Sequence, residues 1–275
     1  MKVFKTAIDS IKFFILFFLL VIFISPFLII VTNTFKTTQQ FVENPISWPT
    51  RFDFSNYIKA IDYMNFTTGF MNSLIITITA VFIIVLFSSM AAYLFARFKW
   101  RINTTIFLAM IASMNIPFQV IMIPLVSIYG KLGLLDSRLT LLFMYLGFGT
   151  PFAIFIFHGF IKGIPVSLEE AATIDGCSRT RIFFQIVLPL LKPVLSTVVI
   201  LDFLWIWNDY LLPSLVLLSP SLRTLPLSIY NFFSTYSVDY SPLMAGLVMT
   251  IIPVLVLYLF LQKYIIQGIM EGAIK

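Results

Sequence analysis

Long runs of apolar residues alternate with short polar segments along the whole chain. A helix that crosses a bilayer needs about 20 consecutive, mostly apolar residues. Six runs approach or exceed that length, so the pattern predicts an all-α integral membrane protein that forms a single transmembrane domain over residues 1–275. We place its six transmembrane helices at about residues 11–32, 70–95, 104–129, 139–160, 193–218 and 243–266.

The predicted third span contains residues that a straight, lipid-facing helix avoids. Pro117 and Pro124 interrupt the backbone hydrogen bonding of a helix, and Asn115 and Gln119 add two amide side chains. Those amides are four residues apart, so in a helix they share one face. They are candidates for a substrate pathway, and hydrogen bonding between helices explains them equally well.

The composition supports the membrane assignment. The chain is 60% hydrophobic and 11% charged, and its mean hydropathy is +1.00. Its net charge is +6, but the basic residues flank the apolar runs instead of forming a patch, which excludes a nucleic-acid partner. Cys177 is the one cysteine of the sequence, so an internal disulfide is excluded, and no cysteine or histidine cluster has the spacing of a metal site.

The distribution of basic residues predicts the orientation. The 18 lysines and arginines divide twelve to six between the two sides. The richer side holds both termini and the loop 161–192, with Lys2, Lys5, Lys12, Arg97, Lys99, Arg101, Lys162, Arg179, Arg181, Lys192, Lys263 and Lys275; the other side holds Lys36, Arg51, Lys59, Lys131, Arg138 and Arg223. Positive charge accumulates on the cytoplasmic side, so we expect a multi-pass protein of the plasma membrane with both termini in the cytoplasm.

Carboxylates in the predicted fifth span need an explanation, because each one costs about 2.5 to 3.5 kcal/mol near the bilayer centre. Asp202 and Asp209 are seven residues apart, which places both on one face of a continuous helix. Trp205, Asn208, Asp209 and Tyr210 combine aromatic rings with hydrogen-bonding groups, a mixture that suits a neutral, polyhydroxylated ligand. An interfacial aromatic belt with a helix-packing carboxylate explains the same residues.

The two carboxylates also suit a second class of function, a proton-coupled secondary transporter that uses Asp202 and Asp209 as proton carriers. The sequence contains no phosphate-binding loop, since Gly130-Lys131 is followed by leucine and lacks the rest of that motif. The chain also lacks a nucleophile, base and orienting group in a recognisable set, so we predict that it is not an enzyme and binds no cofactor. ATP, if used, must bind to another subunit.

The predicted loop 161–192, between spans four and five, gathers charge in a chain that has little of it. Ser167 and Glu170 have the spacing of a capping box, which predicts a short helix over 168–174. Asp175-Gly176 is a typical helix stop, because glycine adopts the left-handed conformation without a steric penalty. Ser178 begins a second helix, which Leu188-Pro189 ends or bends. A polar helix-turn-helix between spans suggests a docking element.

The same loop resembles the signature loop of permeases from binding-protein-dependent ABC importers. The resemblance rests on Glu170-Ala171-Ala172, the Asp175-Gly176 that follows, and Ile186-Val187-Leu188-Pro189. Further segments resemble the carbohydrate subfamily, specifically its MalG-type member: Asn72-Ser73-Leu74, residues 117–124, Trp207-Asn208-Asp209-Tyr210, Arg223-Thr224-Leu225-Pro226, Leu261-Gln262-Lys263-Tyr264, Gly268 and Gly272-Ala273.

This resemblance implies the type I importer fold, with a cytoplasmic coupling helix between spans four and five. It implies a heterodimer with a MalF-type permease, two ATPase subunits that bind ATP and magnesium, and an extracellular sugar-binding lipoprotein. The substrate would be a sugar, and general similarity suggests a raffinose-type α-galactoside. The residues expected to dock onto the ATPase are Glu169, Glu170, Ala171, Ala172, Asp175 and Gly176.

Overall fold

The computed structural model of the protein describes residues 2–233 and 238–273. Within these ranges the chain is built from helices. They are α1 (Lys2–Asn33), α2 (Thr38–Glu43), α3 (Ser55–Met64), α4 (Phe66–Arg97), α5 (Arg101–Ser113), α6 (Phe118–Lys131), α7 (Arg138–Lys162), α8 (Ser167–Ile174), α9 (Arg179–Ile182), α10 (Leu188–Leu190), α11 (Lys192–Asn208), α12 (Leu211–Val216), α13 (Leu225–Ser228) and α14 (Tyr240–Ala273). A π-helical segment, Phe183–Val187, joins α9 to α10.

Four helices of the described chain are long and apolar enough to cross a membrane. They belong to α1, α4, α7 and α14, over Asp9–Asn33, Phe66–Arg97, Arg138–Lys162 and Tyr240–Phe260, with mean hydropathies of 3.2, 2.6, 1.9 and 2.5. These helices coincide with predicted spans one, two, four and six.

The predicted third span is not one continuous helix. Its two parts, α5 and α6, are bent by 102° where Met114–Pro117 separate them. Pro117 is the residue before α6 and has an extended backbone, with φ −61° and ψ 135°. Proline lacks the N–H that would continue α5, and it disfavours a helical conformation in the residue before it. The expected departure of the third span from a straight helix is therefore confirmed.

The predicted fifth span, 193–218, is also interrupted. Helix α11 ends at Asn208, Asp209 is extended with φ −69° and ψ 130°, and α12 follows as a separate short helix. The segment Arg179–Leu190 precedes α11 at an angle of 77°. If each bent pair counts as one span, the described chain has up to six.

The chain divides into two compact units, one formed by residues 1–66 and 228–252 and the other by residues 67–227 and 253–275. In the first unit the buried Lys36 donates from Nζ to the carbonyl oxygens of Asn44 (3.1 Å) and Pro45 (3.2 Å). Asn56 donates to the carbonyl oxygens of Thr34 and Lys36, both at 2.8 Å. These bonds fix the turn after α1. The single transmembrane domain stays a prediction.

The second unit contains the candidate functional residues. Its core is formed by α4, α7 and α11, with Ile84, Tyr145 and Trp207 among the most deeply buried side chains. Helices α4 and α7 approach closely at Gly149, where an added Cβ would lie 2.7 Å from Ile84 Cδ1. A small residue at this position allows the two helices to approach one another.

Candidate functional site

Helix α8 begins one residue earlier than the capping box predicts. Ser167 is its first residue, Val166 is the N-cap, and no side chain caps this end. The backbone amides of Glu169 and Glu170 instead donate to the Val166 carbonyl oxygen, at 2.9 and 3.1 Å. The prediction of a capping box at Ser167 and Glu170 was therefore wrong, because the Val166 carbonyl oxygen already accepts the amides that a capping side chain would satisfy.

The predicted end of α8 is confirmed. Asp175 is the C-cap residue, and Gly176 adopts the left-handed conformation with φ +78°. The Cys177 amide donates to the Ala172 carbonyl oxygen over 2.9 Å, and the Gly176 amide donates to that of Thr173 over 3.0 Å. This pair of bonds is typical of a glycine-terminated helix and turns the chain sharply towards α9.

Glu169 lies on the inner side of α8. Its Oε1 lies 2.7 Å from Arg97 Nε, and its Oε2 accepts a hydrogen bond of 2.7 Å from the Tyr93 hydroxyl. Arg97 also donates from Nη2 to the Ile164 carbonyl oxygen over 2.9 Å. Because both carboxylate oxygens are engaged inside the protein, Glu169 positions α8 against the end of α4 and is not part of its exposed face.

The outer side of α8 is formed by residues at helical spacing. Ser167, Glu170, Ala171 and Ile174 are all exposed, and the Ile174 side chain is 87% exposed. Ala172, in contrast, is buried on the same side as Glu169. Of the predicted docking residues, Glu170, Ala171, Asp175 and Gly176 are therefore accessible. Sequence reasoning missed Ile174, although its spacing from Glu170 and Ala171 could have identified it.

Residues after the turn attach the loop to the helical core. Ser178 accepts a bond from the Arg181 amide (3.4 Å), which confirms it as the start of α9. The Arg179 guanidinium lies 4.6 Å from the centre of the Phe98 ring, a cation–π contact. Ile182, Phe183 and Val187 are buried, and the Phe183 and Tyr93 rings lie 5.4 Å apart. Tyr93 thus contacts both halves of the loop.

The candidate pathway residues of the third span are separated by the break in that span. Asn115 lies in the turn after α5 and donates to the Ile111 carbonyl oxygen (3.3 Å), whereas Gln119 lies in the first turn of α6. Both side chains are exposed. The prediction that they share one helix face was wrong, because Pro117 ends the helical continuity between them.

Asp209 is a helix-terminating residue instead of a second carboxylate on the face of Asp202. Its Oδ2 accepts a hydrogen bond of 2.9 Å from the Tyr145 hydroxyl, and its Oδ1 accepts one of 3.0 Å from the Leu211 amide. The prediction that Asp202 and Asp209 lie on one helix face was therefore wrong, because α11 ends at Asn208. Asp209 instead links α7 to the beginning of α12.

The aromatic segment beside Asp209 has one buried and two accessible rings. Trp207 is buried, whereas Trp205 is 42% exposed and Tyr210 is 39% exposed. Asn208 is exposed and donates to the Leu204 carbonyl oxygen over 2.8 Å. The structure thus leaves Trp205, Asn208 and Tyr210 accessible to a ligand, while Asp209 is engaged with protein groups.

A cavity of about 310 Å³ lies between α7 and α11. Its lining residues are Phe148, Gly149, Phe152, Leu201, Asp202 and Trp205. Asp202 is only 3% exposed, and its Oδ2 has no hydrogen-bond partner among the residues that the structure describes. The Trp205 ring meets the Tyr145 ring edge to face, with centres 5.6 Å apart. We call this feature the Asp202 cavity.

Two distant segments of the sequence meet at the start of α4. Asn72 donates from Nδ2 to the carbonyl oxygens of Ser221 and Arg223, both at 2.9 Å, and Ser73 Oγ accepts a 2.8 Å bond from the Leu225 amide. Asn72 and Ser73 thus hold the segment 221–225, so two of the segments that resemble the carbohydrate subfamily contact each other.

Relatives of known description share most of the chain. It is 47% identical over 254 residues to the "Probable starch degradation products transport system permease protein AmyC" of Thermoanaerobacterium thermosulfurigenes, covering 92% of each protein. It is 34% identical over 251 residues to the "Melibiose/raffinose/stachyose import permease protein MelC" of Bacillus subtilis, covering 91% of each.

A solved structure shows the same fold. It is a crystal structure of a bacterial ABC transporter involved in the import of the acidic polysaccharide alginate, with a TM-score of 0.82 and 24% identity. The match covers 95% of this chain and 97% of that one. The family described as "Binding-protein-dependent transport system inner membrane component" matches residues 84–271, which include the docking loop and the Asp202 cavity. The resemblance of the loop is confirmed, and the chain belongs to this family of transport permeases.

Proposed function

We propose that the chain is the permease subunit of an ATP-driven importer that moves an oligosaccharide across the bacterial plasma membrane. The observation that carries the proposal is the geometry of α8. An exposed face of Glu170, Ala171 and Ile174 is held in place by the buried contact between Glu169 and Arg97. A short helix whose inner side is anchored to the protein and whose outer side is exposed is suited to docking into a partner.

The docking partner that fits this face is an ATPase. Ala171 has a small side chain that permits close backbone approach, Glu170 provides a carboxylate for a basic group, and Ile174 provides an apolar contact. Since the chain has no phosphate-binding loop of its own, the energy of ATP must enter through such a contact. Two ATPase subunits that carry ATP and magnesium would complete the transporter, and this chain would bind no cofactor.

The family description supports a binding protein as a further partner. We propose a sugar-binding lipoprotein outside the membrane and a second, MalF-type permease that forms a heterodimer with this chain. The excess of basic residues on the side of loop 161–192 supports a cytoplasmic position for α8 and for both termini. In this orientation α8 meets the ATPase, and the segment 221–225 faces the binding protein.

Two relatives point to related substrates. One is named for starch degradation products and is 47% identical, and the other is named for melibiose, raffinose and stachyose and is 34% identical. Raffinose and stachyose are oligosaccharides, and the partial degradation of starch yields sugars of the same class. We propose this class for the present chain, with malto-oligosaccharides as the first substrates to test and the raffinose-type α-galactosides as the second.

The proposal is tested by uptake into proteoliposomes that contain the complete transporter. Radiolabelled maltotriose and raffinose are supplied outside together with the binding protein, and ATP with magnesium is enclosed inside. We expect accumulation of one of these sugars that requires both internal ATP and the binding protein.

The same assay tests the proton-coupled alternative. Uptake driven by a proton gradient without ATP would contradict the proposal and would favour a secondary transporter. Family membership already argues against that alternative, as does the position of Asp209, which is engaged by Tyr145 and the Leu211 amide. Absence of uptake of either sugar under all conditions would contradict the oligosaccharide assignment.

A further inference from the structure

The Asp202 cavity contains a buried carboxylate oxygen that lacks a hydrogen bond within the described chain. An unsatisfied polar group is costly in an apolar environment, and a carboxyl group in a membrane-spanning segment is normally paired or functional. Asp202 is buried on α11 beside a cavity wide enough to admit another group. Its missing partner is therefore expected to come from outside the described chain.

The walls of the cavity restrict the chemistry of that partner. Trp205, Phe148 and Phe152 present aromatic rings, and Asp202 provides the acidic group. A pyranose ring has apolar faces that stack on aromatic rings and hydroxyl groups that donate to a carboxylate, so it matches both parts of the lining. The volume of about 310 Å³ lies at the lower end of the roughly 300–1,000 Å³ typical of small-molecule pockets.

Asp209, the other carboxylate of this region, is not available for the same task. Its Oδ2 is engaged by the Tyr145 hydroxyl and its Oδ1 by the Leu211 amide. These contacts complete the bend between α11 and α12, so Asp209 shapes the region without facing a ligand. Trp205 connects the Tyr145–Asp209 contact with the Asp202 cavity, because its ring packs against Tyr145 and also lines the cavity.

We infer that the Asp202 cavity is a sugar subsite in the membrane-embedded part of this subunit. Asp202 accepts a hydroxyl of one pyranose unit, and Trp205 stacks on its ring. The inference rests on the proposed function, because it assigns a position to the oligosaccharide that the transporter moves. In this inference Asp202, and not Asp209, is the carboxylate that binds the ligand.

Equilibrium dialysis tests the subsite directly. The complete transporter is reconstituted in lipid nanodiscs without its binding protein, and binding of radiolabelled maltotriose and raffinose is measured per assembled complex. We expect Asp202→Ala and Trp205→Ala to weaken binding of the transported sugar by about tenfold, the size of one lost hydrogen bond or stacking contact. Asp202→Asn keeps an acceptor oxygen and the same shape, so its effect should be smaller.

Phe155→Ala is the matched control, since Phe155 is an exposed aromatic residue of α7 outside the cavity lining. Its sugar binding should equal that of the wild type. Binding by Asp202→Ala complexes that equals the wild type would overturn the inference. If this variant instead lowered only the recovery of the assembled complex, the partner of Asp202 would be a donor group of the second permease, and the subsite would again be overturned.

The wild-type protein separates the two proposals. If wild-type proteoliposomes accumulate maltotriose or raffinose with ATP, the proposed function stands and the variants decide the subsite alone. If the wild type accumulates neither sugar, the oligosaccharide function fails and the subsite inference fails with it.

Discussion

Glu169 Oε1 lies 2.7 Å from Arg97 Nε, although the two residues are 72 positions apart in the chain. The contact joins the first turn of α8 to the last turn of α4. If a partner displaces the docking face, we expect this contact to transmit the displacement to α4, a helix long and apolar enough to cross the membrane. We infer that the ion pair positions α8 against α4. Its removal is expected to leave ATP hydrolysis in place while sugar transport falls.

Glu169→Gln is expected to uncouple the transporter. The change removes the charge from a buried pair, and loss of one partner of such a pair typically costs about 3–5 kcal/mol. We expect sugar uptake to fall by at least about tenfold while the permease still inserts and ATP hydrolysis continues. The ratio of sugar transported to ATP hydrolysed in proteoliposomes measures this effect. A wild-type ratio in Glu169→Gln would show that the ion pair has no positioning role.

Ile174→Asp is expected to weaken binding of the ATPase without affecting the fold. Ile174 is 87% exposed on the outer face of α8, so the substitution removes apolar contact only when a partner covers it. Full burial of such a side chain contributes about 1.5–3 kcal/mol, which corresponds to at least about tenfold in affinity. The dissociation constant is measured by passing the purified ATPase over a surface that carries the immobilised permease pair. Leu190→Asp, at an exposed apolar position outside α8, is the control that should retain binding.

Gly176→Ala is expected to destabilise the turn after α8. Gly176 has φ +78°, and the left-handed conformation costs a residue with a Cβ about 1–2 kcal/mol. Gly163→Ala is the matched control, since Gly163 has φ −79° and lies in the same loop region. Thermal unfolding of the assembled complex should show a lower midpoint for Gly176→Ala only. Equal midpoints for the two variants would contradict the role assigned to this glycine.

Gly149→Ala is expected to strain the contact between α4 and α7. The new methyl group would lie 2.7 Å from Ile84 Cδ1, and overpacking of this kind typically costs about 1–3 kcal/mol. Ile84→Val removes the clashing Cδ1 atom. We therefore expect the double variant to unfold at a higher temperature than Gly149→Ala alone. If Ile84→Val gave no recovery, the close approach of the two helices at this point would be refuted.

Asp136 provides a prediction about pH, because it lies in the loop between α6 and α7, outside the membrane-spanning segments. Ser219 donates to it from its hydroxyl and its amide, and Leu218 donates from its amide. These hydrogen bonds, led by the Ser219 hydroxyl, lower the pKa of Asp136 below its ordinary value of 3.8. A carboxyl group with a lowered pKa stabilises the folded state above its unfolded pKa and loses that contribution as the pH falls through its folded pKa.

The corresponding test uses Asp136→Asn. At pH 7 the variant should unfold at a lower temperature than the wild type, and the difference should shrink as the pH falls from about 3.8 through the lowered pKa of the folded Asp136, because the wild-type carboxylate loses its charge there. Thermal unfolding in nanodiscs over this pH range measures the difference. A difference independent of pH would show that the ionised carboxylate does not stabilise the loop.

The apolar runs predict the helices of this protein well, because a helix that crosses lipid must be apolar over a fixed length. They predict the breaks less well. Pro117 indicated a disturbance, but a 102° bend depends on how α5 and α6 pack and not on proline alone. The end of α11 at Asn208 had a weaker signal, since Asn208 and Asp209 disfavour the interior of a helix but no proline separates α11 from α12.

Contacts between distant residues account for the remaining differences. Glu169 and Glu170 are neighbours in one short helix, and the sequence alone does not show which of them faces inward. Glu169 faces inward because Tyr93 and Arg97 contact it. In the sequence, Arg97 had been interpreted only as evidence for the orientation of the chain in the membrane. In the same way, the sequence suggested Asp209 as a ligand-binding group because its hydrogen bond with Tyr145, 64 positions away, has no local signature.

The contrast between α1 and α11 has a consequence for biogenesis. The apolar window of α1 has a mean hydropathy of 3.2 and is 0% buried, so within the described chain lipid contact alone can accommodate it. We therefore expect this helix to leave the translocation machinery as soon as it is synthesised. Helix α11 carries Asp202 and depends on α7 for one wall of the surrounding cavity. Its release into lipid is therefore expected to wait until α7 is already in the membrane, which gives the chain an order of assembly from its amino terminus.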